Sequence, residues 1–136
     1  MTDIEIRLPW PDRRLSPNER VHWAVKNRVT QQAKMLARAM TLEQLHFNKW
    51  QCPSRPMIVT YLHPPRYNSD IDNLHAMLKS SFDGICQALQ IDDRCFRASI
   101  EVIGERVKKG LVIVQIRSSD GLGEFLGMTE AKTCLH

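Results

Sequence analysis

Residues 73–90, NLHAMLKSSFDGICQALQ, decide the fold. Leu74, Met77, Leu78, Phe82, Ile85 and Leu89 lie at offsets 0, 3, 4, 8, 11 and 15, so a helix here carries one continuous apolar stripe. Such a stripe must pack on a sheet, and the flanking sequence supplies the strands. Upstream, MIVTYL (57–62) is a β-branched and aromatic run, and Ile4, Ile6 and Leu8 alternate with charged residues until Pro9 and Pro11 end the pattern. Between them, Ala33, Leu36, Ala37 and Met40 predict a helix from about Thr30 towards Leu45, closed by Pro53 and Pro56. Trp10 to about Arg28 shows no periodicity and is expected to be a long ordered loop. Downstream, residues 98–107 alternate again, and Lys108-Lys109-Gly110 predicts a turn into LVIVQIR (111–117), which together read as a β-hairpin. The order β-α-β-α-β-β gives an α+β fold: a small single domain over residues 1–117, with a mixed sheet and two main helices on one face. Residues 118–136, with three glycines and no sustained pattern, are expected to form a mobile tail or a short extra helix.

Composition narrows the function classes. A chain of 136 residues, 43% hydrophobic and 25% charged, suits one soluble domain, and no apolar run approaches the roughly 18 residues a membrane span needs. The start MTDIEIRLPW lacks the basic-then-apolar pattern of a secretory signal, which predicts a cytoplasmic location and reduced cysteines. Cys52, Cys86, Cys95 and Cys134 are too scattered for a zinc spacing. The formal net charge is +4, yet Asp12 to Arg38 alone holds seven basic residues (Arg13, Arg14, Arg20, Lys26, Arg28, Lys34, Arg38) against two acids. That concentration points to an anionic partner. Trp10 and Trp23 sit in the same region and either pack the loop or stack on bases, with packing the reading carried forward.

Against this basic background, RYNSDIDNLHAMLK (66–79) places Asp70 and Asp72 one residue apart, just before the helix, and Asp92 and Asp93 follow it. Asp72 alone suits a helix N-cap. Two carboxylates held close repel unless a proton or cation lies between them, and hard divalent cations take a few carboxylates, water and a substrate phosphate. A calcium EF-hand starting at Asp70 fails, because its sixth and twelfth positions are His75 and Ser81 rather than Gly and Glu. An aspartyl-phosphate enzyme would place its first Asp straight after a buried strand, whereas PPRYNS precedes Asp70. His75 is a minor candidate as a metal ligand or phosphate contact.

The opening LPWP with Ser16 and Asn18, the D-x-D-N-L at 70–74, the LK…FDG of Leu78 to Gly84 and the DD at 92–93 together resemble the RusA family of Holliday-junction resolvases, over about Ile4 to Ile116. The resemblance implies a homodimeric, Mg²⁺-dependent endodeoxyribonuclease, with Mn²⁺ as an alternative ion. Such enzymes cut four-way DNA junctions symmetrically in recombination and repair and are commonly encoded by phages and prophages. It implies Asp70, Asp72 and Asp93 as metal-binding catalytic carboxylates, with Asp92 the alternate of the last pair. The family lysine four residues after the second aspartate is Ala76 here, and Lys79 is the nearest replacement. Arg13, Arg14, Arg20, Lys26, Arg28 and Arg66 are expected to contact DNA phosphates. Two rival readings stay open: a branched-DNA-binding protein with impaired catalysis, and a metal-dependent phosphohydrolase of free nucleotides. A helix running unbroken from Asp72 to Leu89 would separate its two acidic ends by roughly 25 Å. Either a kink near Gly84 or an antiparallel dimer would bring them together.

Overall fold

A computed structural model of the chain describes residues 3–53, 56–66, 73–92, 94 and 100–118. In chain order these form β1 (Ile4–Leu8), a 3₁₀ turn (Arg13–Leu15), α1 (Trp23–Asn48), β2 (Pro56–His63), α2 (Leu74–Leu89), β3 (Ile100–Ile103) and β4 (Leu111–Ser118). This is the α+β arrangement expected. The four strands make one mixed sheet in the order β1-β4-β2-β3, antiparallel except for the parallel pair β2 and β3. Among the described residues no helix is long and apolar enough to cross a membrane.

Register explains the core. Strand pairing lines up Ile4, Ile116 and Ile58 in one row, Ile6, Val114 and Thr60 in the next, and Leu8, Val112 and Leu62 in a third. All of these side chains are buried on one sheet face, because alternate residues of a strand point the same way. Leu74, Leu78, Phe82, Ile85 and Leu89 of α2 lie in the same cluster, as does Ala37 of α1. The two helices therefore cover one face. His75 of α2 bonds Glu101 of β3 at 3.2 Å, and Glu101 stands in register with Thr60, so the start of α2 lies over the β3 side of that face. On the opposite face Arg117 bonds the Tyr61 hydroxyl at 3.1 Å and also meets Gln115 and Asp3.

Three expectations need correction. First, α1 begins at Trp23, inside the stretch read as loop. The imidazole of His22 caps it, Nδ1 accepting from the Ala24 N–H at 3.1 Å, and Val25, Val29 and Ala33, four residues apart, extend its apolar stripe into a small cluster with Leu15 and Met77. Leu36, counted as core-facing, is 45% exposed.

Second, the hairpin expected of residues 98–107 and 111–117 does not form where the chain is described, from Ile100 onward. β3 pairs with β2, and β2 lies between β3 and β4. After Ile103 the chain folds over the end of β2: Gly104 N–H donates to Leu62 O at 2.8 Å and Val107 N–H to Pro64 O at 3.1 Å. Proline offers no N–H, so the β2 ladder ends there and the chain can pass across it. The expected turn does form locally, with Lys109 (φ 70) and Gly110 (φ 76) left-handed, and it feeds β4 on the far side of β2.

Third, Gly84 does not kink α2, which runs without interruption. A Cβ at Gly84 would clash with the Lys34 carbonyl oxygen and come within 3.1 Å of the Arg38 nitrogen. Its role is to let α1 and α2 cross with their backbones nearly touching. No disulfide forms among the described residues, where Cys52 is half-buried and Cys86 buried. Cys95, Cys134 and the tail beyond Ser118 lie outside them.

Candidate nucleic-acid and metal site

β2 ends at His63, and Pro64, Pro65 and an exposed Arg66 lead away from it; α2 opens at Asn73. Asp70 and Asp72 fall between these points, outside the described residues, as does Asp93. What the structure fixes is their framing. The N-cap of α2 is Asn73, in right-handed helical geometry (φ −94, ψ −3) and with no capping side-chain bond. The first turn of α2 contains no acid to oppose the positive end of its dipole.

At the other end, Asp92 is engaged by its own turn. Its Oδ1 accepts from the Arg94 N–H at 2.9 Å, and its Oδ2 lies 3.2 Å from the Arg94 guanidinium. Between Asn73 and Asp92 stand the 16 residues of α2, about 24 Å at 1.5 Å per residue. Among the described residues no three His, Cys, Asp or Glu side chains come together to hold a metal.

Lys79 stands on the exposed side of α2 with its ammonium 3.7 Å from Asp83, one turn further on. Its side chain is 71% exposed, so the pair is worth only a few tenths of a kcal/mol and opens readily. His75 is committed to Glu101 and lies 5.9 Å, ring to ring, from Phe82. The contact joins α2 to β3 at the surface.

The basic N-terminal region divides into neutralised and open cations. Arg14 grips Asp12 through two guanidinium contacts of 3.1 and 2.9 Å, and the Arg14 N–H adds a third bond to the same carboxylate. The Arg14 side chain beside it holds the Asp12 carboxyl below its ordinary range, in spite of partial burial. Arg13 meets Glu19 at 3.4 Å. Lys26 is half-buried and donates to Ser16 O at 3.1 Å, which ties the loop to α1. Arg20 and Arg28 are exposed and make no ion pair among the described residues. The expected DNA-contact set thus contains three side chains already used to shape the loop.

Two features escaped sequence reasoning. Leu8 to Asp12, Leu15, Val29, Leu36 and Ser81 line a largely apolar cleft of about 220 Å³ between the loop and α1; the Pro-Trp-Pro run at 9–11 marks it in the sequence. The tryptophans also part company. Trp10 packs against the core and against Gly110, as expected, whereas Trp23 is 76% exposed and does not pack the loop.

No family model matches the chain. A protein of Xylella fastidiosa (strain Temecula1 / ATCC 700964), named only "Uncharacterized protein", is 34% identical over 117 residues, covering 82% of this chain and 74% of its own length. This chain belongs to that protein's family. The relative's name carries no activity, so function is argued from the residues.

Proposed function

We propose that this protein is a RusA-like, divalent-metal-dependent endodeoxyribonuclease that resolves four-way DNA junctions by paired symmetric cuts, acting as a homodimer in recombination and repair. One observation carries the reading: in the chain a D-x-D pair falls between the end of a central strand and a long helix whose first turn holds no acid, a second D-D pair follows that helix, and the open cations Arg20 and Arg28 flank the start of α1.

The donor chemistry fits Mg²⁺ or Mn²⁺. Asp70, Asp72 and Asp93 are hard oxygen donors, and the Arg94 contacts that occupy Asp92 favour Asp93 as the third. When bound, the ion would neutralise charge on the phosphate and ease deprotonation of the attacking water. Arg66 would dock the phosphate beside the acids. Lys79, released from Asp83, would add a positive charge to it. Because α2 is unbroken, one protomer separates the two acidic ends of that helix; a two-fold pair with antiparallel α2 helices would combine Asp70 and Asp72 with Asp93 of the partner subunit. A two-fold enzyme also matches a substrate that needs two cuts.

A second reading has one observation in its favour. Ala76 occupies the family's lysine position and Lys79 sits 3.7 Å from an acid, which suits a junction-binding protein with impaired catalysis. Incubating wild type and Asp72→Asn with a synthetic four-way junction and Mg²⁺ separates the two. Paired nicks from wild type alone support the nuclease; binding without nicks by both sinks it.

A further inference from the structure

An exposed tryptophan at the start of a helix forgoes about 2–3 kcal/mol of burial, so its surroundings are informative. Trp23 is 76% exposed, and it is not isolated. The His22 ring lies 5.7 Å away at an interplanar angle of 29°, and that ring is fixed because its Nδ1 accepts from Ala24 N–H. The bond from Lys26 to Ser16 O fastens the preceding loop to the same helix. The indole therefore stands on a braced support.

The neighbouring chain is cationic. Arg20 and Arg28 are exposed and make no ion pair among the described residues, while the two nearby acids, Asp12 and Glu19, are matched by Arg14 and Arg13. The first turn of α1 contains no acid. A protein partner would need roughly 800 Å² of surface on this side, whereas the residues beside Trp23 in the chain, Arg20, His22, Ala24 and Asn27, add little apolar area to the one ring. A flat exposed ring, with exposed cations three residues before it and five residues after it in the chain, fits a nucleobase whose flanking phosphates meet the arginines.

We infer that Trp23, backed by His22, is a stacking platform for an unpaired base, with Arg20 and Arg28 engaging the adjoining phosphates. This rests on the nucleic-acid reading above and adds to it a preference for unpaired over fully paired DNA. Binding of the full chain to a 20-nucleotide oligo(dT), a duplex of the same length and a four-way junction is measured by anisotropy in EDTA, so that no strand is cut. Trp23→Ala should weaken oligo(dT) binding roughly 5- to 100-fold, weaken junction binding in the same direction, and change duplex binding less than about twofold. Trp23→Phe should keep most of the affinity while abolishing the tryptophan quenching that oligo(dT) produces, since Trp50 is buried and Trp10 packed. Equal binding by wild type and Trp23→Ala overturns the platform and leaves the DNA reading standing. An equal loss on all three DNAs also overturns it. If wild type binds none of them, the nucleic-acid reading fails and the platform with it.

Discussion

Substituting Gly84 by Ala sets two opposing effects against each other at the α1–α2 crossing. In an exposed helix the change would stabilise by about 1 kcal/mol, the difference in helix propensity. Here the added methyl clashes with the Lys34 carbonyl oxygen and sits 3.1 Å from the Arg38 nitrogen. Both obstacles are backbone, so no rotamer change relieves them and the helices must part. Overpacking of this kind costs about 1–3 kcal/mol, and backbone obstruction puts it at or above the top of that range. The expected net loss is roughly 2 kcal/mol, or a fall of about 1 M in the urea midpoint for a protein of this size. Unfolding followed by far-ultraviolet circular dichroism measures it. Ala76→Gly, on the exposed side of α2, calibrates the propensity effect alone. An unchanged or raised midpoint in Gly84→Ala would refute the close crossing and return Gly84 to the role of a flexible point.

Other outcomes follow from the same geometry. Asp93→Asn should abolish junction cleavage while leaving binding in place, whereas Asp92→Asn should keep most activity because that carboxylate already serves Arg94; equal loss in both would undo the distinction. Lys26→Met should cost about 0.5–1.5 kcal/mol in thermal unfolding by removing the donor that ties Ser16 O to α1, the Glu19 N–H remaining on that carbonyl, with little effect on the salt dependence of DNA binding. Arg28→Ala should do the reverse, lowering the salt slope by about 1 with stability nearly unchanged. The folded-state pKa of Asp12 lies below its ordinary value, so its contribution to stability is complete above the usual carboxylate range and is lost as pH falls through the lowered value. Asp12→Asn should therefore lie below wild type near neutrality and converge with it in strong acid, which urea titrations across the acid range will test.

The elements legible in sequence were those whose burial alternates cleanly. Ile4, Ile6 and Leu8, and the stripe from Leu74 to Leu89, bury one side and expose the other, so their periods are visible. The start of α1 was hidden because its cap is a histidine and its apolar stripe there is thin, Val25 and Val29 leading to Ala33 and packing on Leu15 and Met77 among exposed side chains. The mistaken hairpin has a different origin. Alternation and a Lys-Gly turn describe how a chain bends locally and say nothing about which strand it then meets; the bonds from Gly104 and Val107 onto the end of β2 are tertiary. At the candidate site, sequence named the acids and the basic region. It could not show that Asp92, Arg13, Arg14 and Lys26 already serve the fold, since spacing does not reveal partners.

β4 occupies the position between β1 and β2, although it is made after both. While the nascent chain emerges from the ribosome, β1 and β2 have no ladder to share, and α1 and α2 have only each other, a lone β1 and the short parallel β2–β3 pair to rest on. The sheet closes when residues 111–118 arrive and pair with β1 and β2 together. Folding should therefore be late and concerted rather than progressive. A chain interrupted before β4 should be handed to chaperones or proteases instead of persisting as a half-built domain.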